Sequence, residues 1–137
     1  METILNKAKS LINEINTDNT ISSFQRNHSF HKRSAESSRI LSKYPDRVPV
    51  IVEKDPRCKD IPDIDRKKYL VPDDLSMANF MYVVRKRIKL SPEKSLYLFV
   101  DGNNMAPASQ LVKNVYQEYS SSDNFLYIIY AGESTFG

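Results

Sequence analysis

The strongest constraint on this chain is a dense β-branched run, Val48, Pro49, Val50, Ile51 and Val52, entered soon after Pro45. Branched side chains lose rotamer freedom in a helix and pack well on a pleated surface, so the run is expected as a strand. Pro45 lacks a backbone donor and restricts the residue before it, so a helix arriving from upstream must stop near Tyr44. A second continuous β-forming run, Phe125 to Tyr130, lies close to the far end. The fold has to accommodate both.

The intervening pattern supplies the other elements. Residues 3 to 15 set Ile4, Leu5, Ala8, Leu11, Ile12 and Ile15 on one helical face, and the polar stretch from Asn16 to Ser23 reads as a linker. Ser29 is placed to cap a helix over Phe30 to Lys43, so two helical segments precede the first strand. Lys68 to Val71 is a second extended run, expected to form a hairpin with the first across a long connection that keeps Pro56 and Pro62 outside the ladder. After Ser76, Met77, Phe80, Met81, Val84 and Ile88 repeat at helical spacing and should supply the main core contact. Leu96 to Val100 reads as a strand closed by the turn Asp101-Gly102-Asn103-Asn104, and Leu111, Val112, Val115, Tyr116 and Tyr119 form another helical stripe. This order suits an α+β, ubiquitin-like β-grasp fold: a four-stranded mixed sheet, its first and last strands parallel in the centre and its second strand at an edge, with two extra N-terminal helices packed on the domain. An exposed edge is a place where an extended peptide can add a strand.

A chain of 137 residues fits one domain plus a tail. The expected organisation is an extension with its amphipathic helix and linker at 1–23, the domain at 24–131 and a polar tail at 132–137. No apolar run approaches the roughly 20 residues that cross a bilayer, no leader pattern opens the chain, and Cys58 is the only cysteine, so a soluble protein of a reducing, cytosolic compartment is expected. The net charge is +3, with basic clusters at Arg66, Lys67, Lys68 and at Arg85, Lys86, Arg87, Lys89. Such clusters suit acidic peptides, phosphates or anionic lipid, or are a solvated helix face; no motif points to nucleic acid. His28 and His31 lack partner ligands at metal-binding spacing, and Cys58 sits in a charged connection with no nearby His, so neither a metal, a cofactor nor catalysis is expected.

Several separated passages resemble the autophagy-related protein 8 family, which includes GABARAP and the microtubule-associated light chain 3 proteins. They are Lys43-Tyr44-Pro45-Asp46-Arg47-Val48-Pro49-Val50-Ile51, Asp65-Arg66-Lys67-Lys68-Tyr69-Leu70-Val71-Pro72, Val83-Val84-Arg85-Lys86-Arg87-Ile88, Val115-Tyr116-Gln117-Glu118 and Phe136-Gly137. The resemblance implies a modifier rather than an enzyme, adenylated at its terminal glycine, carried as a thioester on activating and conjugating enzymes, and joined to phosphatidylethanolamine on autophagosomal membranes. Gly137 is the implied conjugation site; without a Cβ it can enter a narrow enzyme channel. A cysteine protease acts in processing or delipidation, and cargo receptors and autophagy proteins bind through short aromatic-x-x-aliphatic motifs. By resemblance the aromatic pocket is lined by Glu36, Ile40, Pro49, Ile51, Lys68, Leu70 and Phe125, and the aliphatic pocket by Tyr69, Val71, Pro72, Leu75, Phe80 and Val83. Lys68 and Arg87 would meet acidic residues flanking the motif. Periodicity alone reads the same apolar groups as ordinary core.

Three departures accompany the resemblance: the 22 or so extra N-terminal residues, Asn27-His28-Ser29-Phe30 in place of a customary Tyr-Pro-Phe, and a turn at Asp101 to Asn104 longer by one residue. The extension has four open roles, namely to contact membrane, to fold against the domain, to mediate self-association, or none if foreign to the natural chain. Gly137 as the last residue reads either as an encoded ready form or as a truncation. The alternative function is an unconjugated β-grasp adaptor that binds peptides in vesicle traffic or at microtubules.

Overall fold

In the computed structural model, residues 22–102 and 104–133 are described; the helix expected over residues 3 to 15, and Gly137, lie outside them. The described elements run α1 (Ser23–Asn27), α2 (Phe30–Lys43), β1 (Arg47–Lys54), β2 (Lys68–Pro72), α3 (Met77–Arg87), β3 (Tyr97–Val100), β4 (Asn104–Met105), α4 (Val112–Tyr119) and β5 (Leu126–Ala131).

The five strands form one sheet in the order β2-β1-β5-β3-β4. β1 pairs antiparallel with β2 and parallel with β5, so the first and last strands do occupy the centre, with β2 at an edge. Four strands were expected. The fifth, β4, is two exposed residues paired with Phe99 and Val100, too short to leave a periodic signal. No helix was expected over α1, whose first residue, Ser23, closed the linker; Ser22 caps it, accepting a hydrogen bond from the Gln25 amide at 3.1 Å.

Pro49 is tolerated in this central strand because of register. The Val52 amide donates to Lys67 O, so by alternation the amide that Pro49 lacks would face β5, where pairing begins only at Val50. The caps expected from sequence form as well. Ser29 accepts from the Lys32 amide and Ser76 from the Asn79 amide, while α2 ends at Tyr44, whose amide donates to Ile40 O.

Side chains of each strand alternate between two faces. On one, Val50, Val52, Val71, Leu98, Val100, Leu126, Ile128 and Tyr130 pack against Met77, Phe80 and Val84 of α3 and Val112 and Val115 of α4. On the other, Ile51 and Phe125 pack with Ile40 of α2, and Phe24, Leu70 and Tyr127 close around them. Asp123, fully buried, fixes α2 to the start of β5: Arg33 Nη1 and Tyr127 Oη each donate to its carboxylate at 2.5 Å, and Ser37 Oγ donates to its backbone carbonyl.

The connection between β1 and β2 is pinned through three successive carbonyls. Lys94 Nζ donates to Asp60 O, Lys54 Nζ to Ile61 O and Tyr130 Oη to Pro62 O, at 2.8 to 3.1 Å. Under this clamp the chain leaves β5 at Gly132, where a Cβ would lie 2.5 Å from Ile61 Cδ1. Only a residue without a side chain fits there without displacing Ile61.

Glu53, at the end of β1, ties α1 to the sheet. Ser23 donates to its Oε2 from both amide and hydroxyl, and Lys67 Nζ donates to the same oxygen at 3.0 Å. Burial pushes this carboxyl up, but hydrogen bonds from Ser22, Ser23 and Lys67 outweigh it and hold the carboxyl below its ordinary 4.5. A lowered folded pKa gives stability that is present above the unfolded pKa and lost as pH falls through the folded one. Glu53→Gln should therefore be less stable than the parent at pH 7, with the gap closing as pH falls below about 4.5. Urea unfolding of both proteins across that range checks this; a gap independent of pH refutes it.

Candidate functional site

Of the two edges of the sheet, β2 and the two-residue β4, β2 is the longer. Its hydrogen-bond register assigns the backbone groups of Tyr69 and Val71 to β1, leaving those of Lys68 and Leu70 facing outward. One of them is engaged: Arg47 Nη1 donates to Leu70 O at 3.1 Å, so a strand added here meets a carbonyl already bonded. Beside the edge, between α2 and β2, lies a recess of about 710 Å³ lined by Glu36, Ile40, Arg66, Lys68, Tyr69, Leu70 and Arg87.

The residues assigned to an aromatic pocket divide here into rim and floor. Glu36, Ile40, Lys68 and Leu70 line the recess, whereas Pro49, Ile51 and Phe125 are buried beneath it. Lys68 Nζ donates to Glu36 Oε1, bridging β2 and α2 across the opening. Arg66 was not anticipated as a liner, since its place in a run of three basic residues gave no sign of which one turns inward.

The aliphatic set gathers on the other face, between β2 and α3. Val71 and Phe80 are 3% and 2% exposed and belong to the core, and the Tyr69 ring meets Phe80 edge-on with centroids 6.3 Å apart. Leu75 and Pro72 are half-buried and Val83 is 39% exposed, so a partner would meet Tyr69, Leu75 and Val83 over a floor of Val71 and Phe80. Burial pushes the Tyr69 phenol above its ordinary pKa, with Arg87 beside it pulling the other way.

The two candidate cations differ in setting from their neighbours. Arg87 pairs with Asp65, Nε to Oδ1, at 3.3 Å, with the Arg87 side chain partly and the Asp65 side chain largely exposed. Such a surface pair contributes about 0 to 1 kcal/mol, so an acidic group on a ligand can compete for the guanidinium. Arg85 instead donates to Lys94 O and Ser91 O, holding the loop after α3. Cys58 is 1% exposed, its Sγ 3.5 Å from Asp60 Oδ1.

A mixed sheet with parallel first and last strands, a main helix across one face and two N-terminal helices on the other defines a ubiquitin-like protein. The family model described as "Autophagy protein Atg8 ubiquitin like" matches residues 32–137. Autophagy-related protein 8d of Arabidopsis thaliana is 56% identical over 117 residues, covering 85% of this chain and 96% of that protein. Autophagy-related protein 8 of Mycosarcoma maydis is 56% identical over 116 residues, covering 85% and 97%. The crystal structure of Trypanosoma brucei ATG8 superposes with a TM-score of 0.79 at 37% identity, covering 85% of this chain and 99% of that one. The chain belongs to the Atg8 family and is a ubiquitin-like modifier of autophagy. Among the described residues no helix is long and apolar enough to cross a membrane.

The division of the aliphatic set is directly testable. Phe80→Ala should cost about 3 to 5 kcal/mol of stability through the cavity it leaves, whereas Val83→Ala should stay within about 0.5 kcal/mol, as expected of a surface change. Chemical unfolding separates the two; equal losses would place both residues in the core.

Proposed function

We propose that the chain is conjugated through the carboxyl group of Gly137 to the amine of phosphatidylethanolamine, and that on the membrane it recruits partners through the groove around β2. Activating and conjugating enzymes carry it as an adenylate and then a thioester, and a cysteine protease acts in processing or delipidation. The free form is cytoplasmic and the lipidated form resides on autophagosomal or other cytoplasmic vesicle membranes. Cargo receptors and autophagy proteins present an extended aromatic-x-x-aliphatic segment.

The observation that carries the groove reading is the outward backbone of Lys68 and Leu70 beside a recess of about 710 Å³. An added strand finds hydrogen bonds there. Its aromatic side chain enters between Glu36, Ile40, Lys68 and Leu70, and the aliphatic one reaches Tyr69, Leu75 and Val83. Pro49, Ile51 and Phe125 support the first anchor, and Val71, Pro72 and Phe80 the second. Two buried anchors contribute about 1.5 to 3 kcal/mol each, and each strand hydrogen bond about 0.5 to 1.5 kcal/mol before ordering costs. Micromolar affinity follows, and many lipid-linked copies convert it to avidity.

Conjugation is tested by incubating the chain with the family's activating and conjugating enzymes, ATP and phosphatidylethanolamine liposomes, and weighing the product. The parent should gain the mass of the lipid less one water and float with the liposomes. Gly137→Ala should react about a hundredfold more slowly, because a Cβ beside the reacting carbon misplaces it by about 1 Å in the enzyme channel, while thermal unfolding is unchanged. A parent that gains no lipid refutes the reading.

The groove is tested by calorimetry. Tyr69→Ala with Leu70→Ala should weaken an aromatic-x-x-aliphatic peptide while the fold is retained. Arg87→Glu should weaken acidic-flanked peptides more than neutral ones, since attraction becomes repulsion. Unchanged affinity in the first case removes the pocket, and equal losses in the second remove the ionic contact.

A further inference from the structure

Helix α3 ends in a concentration of positive charge that the peptide groove uses only in part. Between Tyr82 and Ser95 five residues are basic, Arg85, Lys86, Arg87, Lys89 and Lys94, and only Glu93 is acidic. Arg87 belongs to the recess beside β2 and pairs with Asp65. Arg85, Lys86 and Lys89 instead line, with Tyr82, Leu90 and Pro92, a separate hollow of about 520 Å³.

A basic helix end complements the negative end of the helix dipole, and that alone would account for Arg85 and Lys86. Two features go further. Lys86 Nζ stands 4.8 Å from the centroid of the Tyr82 ring, and Tyr82 is 58% exposed, so a cation and a large aromatic surface are held together facing water. Lys89 follows the helix with a φ of 54°, in the left-handed region where glycine or asparagine ordinarily closes a helix. The turn closes through backbone bonds alone, from the Lys89 amide to Lys86 O and the Leu90 amide to Arg85 O, so the ammonium group is not needed for it. Among the described residues neither Lys86 nor Lys89 takes part in an ion pair.

Arg85 ties the hollow to the exit of the chain from the domain. Its guanidinium donates to Ser91 O and Lys94 O. The next residue, Ser95, lies against Gly132, its carbonyl oxygen 3.7 Å from the place a Gly132 Cβ would take. The loop 91–95 therefore joins the basic hollow to the point where the chain leaves β5.

We propose that this hollow is a membrane-facing site that takes the phosphate of an anionic phospholipid headgroup between Arg85, Lys86 and Lys89, with the Tyr82 ring seated at headgroup level. Phosphate oxygens accept from guanidinium and ammonium donors, and a tyrosine ring joins an apolar body to a polar tip, which suits the boundary between headgroups and acyl chains. The choice of a membrane over a soluble phosphate rests on the conjugation proposed above, because the chain runs on toward Gly137 from beside the hollow. The hollow shares no residue with the recess at β2, so headgroup and peptide do not compete for the same side chains.

The unconjugated full chain tests this against vesicles of phosphatidylcholine with phosphatidylserine, carrying a trace of lipid spin-labelled at the headgroup. Relaxation of the amide signals should be enhanced most at Tyr82, Lys86 and Lys89, and least at Leu70 and Asp123. Pure phosphatidylcholine vesicles should give little enhancement, and added salt should weaken the binding. In flotation, Lys86→Glu with Lys89→Glu should lower the vesicle-bound fraction about tenfold or more, Lys86→Arg with Lys89→Arg should retain it, and thermal unfolding should be unchanged in both. Enhancement centred elsewhere, equal binding to pure phosphatidylcholine, or undiminished binding of the glutamate variant overturns the proposal. Shifts at the hollow with inorganic phosphate and none with vesicles would make it a site for a soluble anion, which also overturns it. No arm requires conjugation, so failure of lipid attachment at Gly137 leaves the result readable.

Discussion

Everything else in the domain depends on the parallel pairing of β1 with β5. Val50, Ile51, Val52, Leu126 and Ile128 are almost wholly removed from water, so both faces of the central pair have to be covered. One layer comes from α3 and α4, and the other from α1 and α2. With the centre filled, β2 can bond to only one neighbour, and its outward backbone is left at the edge. The groove is therefore a by-product of how the middle of the sheet is satisfied.

Charge in the site follows a similar economy. Lys68 with Glu36 and Arg87 with Asp65 are pairs at the surface, each holding a cation in place without committing it. The fully buried Asp123 is different, since it accepts from Arg33, Tyr127 and the Phe125 amide and locks one layer to the sheet. Burial thus separates the rigid anchor from the exchangeable cations.

Much of the fold was legible because strong local signals agreed with the tertiary arrangement. Ser29 and Ser76 cap as their positions suggest, Pro45 ends α2, and the aliphatic runs become the two central strands. What escaped was short or relational. α1 has five residues and β4 two, below the length at which a period exists. Within the site, the helical stripe held Phe80 and left out Val83, whereas the resemblance placed both in one pocket without dividing floor from rim; the sheet makes that division, with Phe80 covered and Val83 on the surface. Arg47 reaching Leu70 O and Arg66 lining the recess depend on two segments meeting, which no local pattern records.

The register of the central pair also has a consequence for biosynthesis. Val50 and Leu126 are partners although more than half the chain separates them. Non-local parallel pairing forms slowly, and an unpaired strand edge in the interval invites association with other chains. On the ribosome β1 and β2 emerge well before β5, and the flank of β1 that β5 will occupy stays open in the interval. The nascent domain thus exposes the inner flank of its most buried strand until β5 arrives.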